Sequence, residues 1–278
     1  MTVSRRPRRD RPPRLDDLPA PEPTPGEPAV ATARRRLVAA RITGVHPDLG
    51  RAAVRAAVRA LVAGDPRARL GCDGLDGCDP AEVRAALVAS HGDDPDASRA
   101  VIDPDATLAG LRAAADRLQA AVAAGARVAV ATSRPASLLG LARWAADTVR
   151  AGDATLLGGT TATIEGGGRR ELWWTGGVAV VTDGQALLAH DGVPGGDDWL
   201  FAVGRPDLVV ADRGFAGAAL RAGVETVAWA DLDAPALALA AARGRAVVLV
   251  PLAERRPPTA YEAALDLLGG PPDPTSLG

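Results

Sequence analysis

Apolar and polar positions alternate along this chain in two rhythms. In "HPDLGRAAVRAAVRALVA", residues 46–63, Val54, Val58 and Leu61 share one face at helical spacing. Arg51, Arg55 and Arg59 form a neighbouring stripe at i, i+4 and i+8, so the pattern predicts a helix with one buried and one charged face. Gly64-Asp65-Pro66 ends it, and a second helix is expected over 80–89 before the polar "HGDDPDASR".

Beyond residue 105, apolar runs of four to six residues take turns with helical stretches. The reading is helix 105–124, strand 127–132, helix 135–150, a strand near 154–158 and paired strands within 171–189, turning at Asp183-Gly184. A short helix near 196–203 then precedes strand 207–212, helix 214–222, strand 224–230, helix 234–243, strand 246–251 and helix 258–268. Such repetition predicts an α/β fold: a three-layer, Rossmann-like, mainly parallel sheet, here with an antiparallel hairpin at its edge. The expected organisation is an Arg/Pro-rich tail over 1–33, a small helical N-terminal portion over 34–104, and an α/β phosphate-ligand domain over 105–278.

Composition narrows the chemistry. Of the 278 residues 47% are apolar, enough for a sizeable core. All 32 basic residues other than histidine are arginine, which excludes a Walker-type phosphate loop, a Schiff-base lysine and the phosphate-binding lysine of protein kinases. A net charge of −2 gives no global attraction for nucleic acid. Such a role would rest on the Arg5–Arg14 cluster of the tail alone, which reads instead as a solvated, disordered segment. Cys72 and Cys78 are too few for a disulfide framework and fit no zinc spacing, so they read as parts of a polar loop. With no secretory segment and no membrane-spanning apolar run, a cytoplasmic protein is expected.

In open parallel sheets ligands bind beyond the carboxyl ends of the strands, and two such ends carry polar groups. "RVAVATSRPASLLGL" closes an apolar run with Thr132-Ser133-Arg134, and Pro135 suits the first helical position. Thr132 or Ser133 can cap that helix; alternatively its terminus and Arg134 hold an anion such as phosphate. After "DLVVA" comes Asp212-Arg213-Gly214. A carboxylate there is placed to bind a metal, take a proton or attack phosphorus, or merely to cap the next helix. The following strand ends in Asp231 and Asp233. Asp231 joins Asp212 as a catalytic candidate, and Asp233 reads as the cap before Ala234-Pro235. Asp183-Gly184 needs only a turn to explain it. His190, in "LLAHDGVPGG", is either solvated or a substrate contact. Trp173 and Trp174 belong either to the core or to a contact with a second copy of the chain.

The segments "RVAVATSRPASLLGL", "WTGGVAVVTDGQALLAH", "PDLVVADRGFAGAALRAGVETVAWADLDAPAL" and "VVLVPL" resemble, in order, an actinobacterial family of cytosolic phosphatases, over about residues 42 to 268. The resemblance implies a phosphorylated small-molecule ligand. It implies ligand contacts from Thr132, Ser133, Arg134, Arg213, Gly214, Arg51 and His190, and allows a divalent metal, Mg²⁺ or Mn²⁺. The chain departs from the family pattern at several points. Arg213 stands where the family has His, Ser133-Arg134-Pro135 where it has Gly-His-Pro, and Leu188–His190 where it has His-Thr-His. Arg51 alone remains of an Arg-Glu-Asn-Asn cluster, the Asn between the last two rim aspartates is missing, and Ala253–Arg255 replaces Asp-Asp-Asn. Catalytic sets act as units, so the expectation is a small-phosphomonoester hydrolase with weakened activity, or a phosphate-ligand binder without turnover.

A third reading rests on "VIDPDATLAGL", where Asp103-x-Asp105-x-Thr107 has the spacing of the haloacid-dehalogenase nucleophile loop. Asp103 would attack phosphorus and Asp105 would move the proton. Yet only Val101 and Ile102 precede Asp103 as a strand, and "DPDATL" is also a good helix start.

Overall fold

The computed structural model describes residues 29–94, 97–159, 161–164, 170–190 and 196–269; the Arg5–Arg14 cluster lies outside them. The chain begins with α1 (Ala29–Ala39), β1 (Gly44–Val45), α2 (Arg51–Val62), α3 (Pro80–His91), β2 (Val101–Ile102) and α4 (Pro104–Ala123). Then come β3 (Arg127–Ala131), α5 (Pro135–Arg150), β4 (Thr155–Leu157), β5 (Ala162–Thr163), β6 (Glu171–Thr175), β7 (Val178–Thr182) and β8 (Leu187–Leu188). The last part holds α6 (Gly196–Val203), β9 (Leu208–Asp212), α7 (Arg213–Arg221), β10 (Glu225–Ala230), α8 (Pro235–Ala242), β11 (Val247–Pro251) and α9 (Glu262–Leu267).

The main sheet runs β11-β10-β9-β3-β7-β6-β5, with β4 also on β3 and β8 on β7. Pairing from β11 to β7 is parallel, and β5, β6 and β8 join antiparallel. From β3 the chain first builds toward β4 and β7, then returns to place β9, β10 and β11 on the other side. β3 and β9 therefore flank the topological switch point, where open α/β sheets bind ligands.

Alternation along the strands divides two cores. On β3, Ala129 and Ala131 face one and Val128 and Val130 the other; on β9, Val209 and Ala211 oppose Leu208 and Val210. The first core takes side chains from α2, α3, α7 and α8, the second from α1, α4 and α5. The segment expected as a helical N-terminal portion thus covers both faces of the sheet.

Several local expectations are corrected. The first long helix starts at Arg51, after an N-cap at Gly50, because residues 46–49 fold back on His46: its Nδ1 accepts the amides of Asp48 and Leu49 at 3.1 and 2.9 Å. α1 begins inside the stretch assigned to the tail. The hairpin β6–β7 turns at Gly176-Gly177, both with positive φ, as a two-residue loop requires; Asp183-Gly184 turns the chain once more into β8. Cys72 and Cys78 are buried in the first core rather than in a polar loop, and burial pushes the Cys72 thiol up to about 12. Trp174 is half-buried and Trp173 exposed. Among the described residues no helix is long and apolar enough to cross a membrane.

The close approach of α7 to the loop before α3 depends on Gly217, where an added Cβ would stand 1.9 Å from the Leu70 carbonyl oxygen. That obstacle is backbone and cannot rotate away. Gly217→Ala is expected to lower unfolding free energy by about 3 kcal/mol in urea titration. Gly158→Ala, where nothing lies within 4 Å, should leave stability nearly unchanged; equal midpoints for the two variants would refute the packing argument.

Candidate active site

The carboxyl ends of β3, β9, β10 and β11 deliver their polar residues to one buried rim. Parallel register sets Val130 of β3 beside Val210 of β9, and Asp212 beside Trp229 of β10. Thr132 and Ser133 therefore meet the end of β9. Thr132 Oγ1 donates to Asp212 Oδ2 at 2.5 Å, and the Ser133 amide donates to Oδ1 at 2.7 Å. Ser133 Oγ also donates to Oδ1. Asp212 is fully buried and makes no capping bond to α7; its charge is held across the switch point. Neither Thr132 nor Ser133 caps α5, whose N-cap is Arg134 and makes no side-chain capping bond. Thr132 Oγ1 accepts the Arg134 amide at 3.0 Å, and Pro135 occupies the first helical position.

Beside this pair lies an arginine–carboxylate cluster. Arg213 Nε donates to Glu254 Oε2 and its Nη2 to Asp233 Oδ1. Arg255 reaches the other Asp233 oxygen at 2.6 Å, and Arg134 Nε stands 3.8 Å from Glu254 Oε2. Arg213 has φ +41°, a left-handed conformation that costs energy outside glycine and that surrounding bonds must hold. Asp233, expected as a helix cap, is instead the outer partner of Arg213, and Ala234 takes the cap position without a side-chain bond. Burial pushes Glu254 up to about 8, opposed by the Arg213 charge and reinforced by Asp231, Asp212 and Asp233.

Asp231 is fully committed as well. His46 Nε2 lies 2.8 Å from Oδ1, with the Leu232 amide at 2.7 Å and the Glu254 amide on Oδ2 at 3.0 Å. Because His46 Nδ1 accepts two backbone amides, its proton is on Nε2 and it donates to the aspartate. Burial alone would raise the Asp231 pKa, but the hydrogen bond from His46, the Glu254 amide and the Arg213 charge together hold it below the ordinary 3.8. Asp231 thereby fixes the turn carrying Glu254, which is further pinned where the Tyr261 hydroxyl donates to the Ala253 carbonyl at 2.7 Å.

Thr132, Ser133, Arg134, Asp212, Arg213 and Asp231 therefore lie together at the rim, and Gly214 is buried in the first turn of α7. His190 borders the group: its amide donates to the Ser133 carbonyl at 3.1 Å and its ring meets Phe215 edge-on. Arg51 does not join them. Its guanidinium grips both Asp93 oxygens at 2.5 and 2.9 Å, together with the carbonyls of Asp94, Ala97 and Arg99. Asp103 caps α4 through the Asp105 amide, and Val101–Ile102 pair only with β1 in a separate two-stranded sheet. The dehalogenase-type loop thus lacks its central strand. Glu254 and His46 were missed. The strand-end rule applied to the last strand points to Glu254, three residues past Pro251; nothing local marks His46.

Among the described residues no group of three His, Cys, Asp or Glu side chains is placed to hold a metal ion, and Asp212, Asp231 and Asp233 already accept from protein donors.

A buried carboxylate–arginine rim thus lies at the switch point of this α/β sheet, where open sheets of the kind bind ligands. The family model described as Phosphatase matches residues 28–268, and the chain belongs to that family. Phosphatase SCO2771 of Streptomyces coelicolor is 36% identical over 241 residues, which cover 83% of this chain and 90% of the relative. No solved structure matches the chain.

Because Asp231 has a folded pKa below its unfolded value, its contribution is complete above 3.8 and lost as pH falls toward the lower folded value. Asp231→Ala should cost about 3–5 kcal/mol at pH 7 by denaturant titration, as for breaking a buried pair. That deficit should narrow below pH 4. A cost under about 1 kcal/mol at neutral pH would remove Asp231 from the turn's support.

Proposed function

We propose that this protein is a slow hydrolase of small phosphomonoesters, working at the carboxyl rim. The observation that carries the reading is the convergence of the Ser133 amide and Asp212 with Arg134 and Arg213, which share Glu254, in a chain of the Phosphatase family. Arg134 and Arg213 supply the charge for the phosphoryl oxygens. Asp212 already accepts a hydroxyl proton donor, Ser133 Oγ, and takes the proton of the attacking water. The water oxygen bonds phosphorus, the ester P–O bond breaks, and Glu254 gives its proton to the departing oxygen. A carboxyl held protonated toward pH 8 suits that task, and while neutral it leaves the charge of both arginines available. Turnover is slow because the rim is buried and its donors are bonded internally, so substrate must displace Asp233 and part of the Asp212 network.

That internal satisfaction also favours a second reading, a binder of phosphorylated metabolites without turnover. Phosphate release with glycerol phosphate, assayed in EDTA and with Mg²⁺ or Mn²⁺, separates the two. Release above background, lost about 100-fold or more in Asp212→Asn with unchanged circular dichroism, supports hydrolysis. Thermal stabilisation by the ester without release under any condition supports binding alone.

Glu254→Gln sharpens the assignment. For glycerol phosphate, a poor leaving group, the loss should be about 10²–10⁴-fold, and the decline in rate above pH 8 should disappear. For p-nitrophenyl phosphate, whose leaving group departs without a proton, the loss should be far smaller. Equal losses with both esters would exclude the acid role.

A further inference from the structure

Away from the rim, α2 and α3 enclose a groove of about 570 Å³. Its floor is apolar: Val54, Val58 and Leu87 line it and are buried members of the first core. Its walls are basic. Arg55, Arg59 and Arg84 all line it and are exposed. No hydrogen bond or ion pair engages Arg55 or Arg59 among the described residues. At i and i+4 on one helix, these two stand a turn apart on the same side. The groove's one acid, Asp93, is neutralised by Arg51. Asp79, the cap of α3, partly offsets Arg84. The groove therefore keeps an excess of positive charge over an apolar floor, in a volume suited to a small organic ligand.

We propose that this groove is a binding site, separate from the rim, for a small organic dianion: two acidic groups, phosphate, sulfate or carboxylate, on an apolar body. Arg55 and Arg59 hold one acidic group and Arg84 the other, through charge-assisted bonds. The apolar body covers Val54, Val58 and Leu87. An inorganic anion fills only the charged part and binds more weakly.

Naphthalene-1,5-disulfonate tests the site, because it has the required shape and charge and no ester for the rim to hydrolyse. Isothermal titration of the full chain should give a Kd below about 1 mM, with inorganic sulfate at least tenfold weaker. Arg55→Gln/Arg59→Gln should weaken disulfonate binding about tenfold or more. The charge-matched control Arg112→Gln/Arg205→Gln, on exposed residues outside the groove, should bind as the parent does. Asp212→Asn should also bind as the parent does, whatever becomes of hydrolysis, so failure here and failure of the rim reading are distinguishable. No binding by the parent, equal weakening in both double variants, or sulfate binding as tightly as the disulfonate would each overturn the proposal.

Discussion

The buried negative charge of Asp212 organises the carboxyl end of this sheet. A carboxylate without water is tolerated only where donors surround it, and here Thr132 and Ser133, at the end of the adjoining strand, supply donors to both Asp212 oxygens. That requirement ties β3 to β9 at the point where the chain reverses its order of strand addition. It also spends the first polar groups before α5 on an internal anion.

Charge accounting around this centre explains why Glu254 differs from its neighbours. Asp212, Asp231 and Asp233 each receive donors on both oxygens. Glu254 receives the Arg213 guanidinium on one oxygen, while its buried Oε1 has no hydrogen-bond partner among the described residues. Four acids face Arg134, Arg213 and the more exposed Arg255, so the cluster carries more acid than base, and a proton settles on the least supported acid. Desolvation decides its location, against the attraction of Arg213.

The fold was legible because parallel strands bury both faces and read as short apolar runs; Arg127–Ala131 and Leu208–Asp212 fall within the expected intervals. Strand-end logic brought Ser133, Asp212 and Asp231 to one rim for the same reason. Partner choice was not legible. Arg51 sits on an amphipathic helix in either reading, and only tertiary structure shows it closed on Asp93, 42 residues away. His46 was hidden differently: its pairing with Asp231 spans 185 residues, and its backbone bonds draw the preceding loop out of the helical pattern that had seemed continuous. The hairpin turn expected at Asp183-Gly184 falls instead at Gly176-Gly177, because the apolar run 178–182 forms the second strand and Asp183-Gly184 then turns the chain into β8.

The departures from the family pattern acquire a physical meaning in this arrangement. Where the resemblance places histidines, the chain carries Arg134 and Arg213, permanent cations that cannot shuttle a proton near neutrality. Their burial would be prohibitive without anions, and Glu254 and Asp233 provide them. Arginine gain and carboxylate placement therefore belong together: one makes the rim cationic, the other cancels that charge and holds a proton that can be shared. An imidazole would leave the rim adjustable by pH at every such position. In this chain that adjustability is concentrated on the carboxyl of Glu254, beside the strained Arg213 that opens α7.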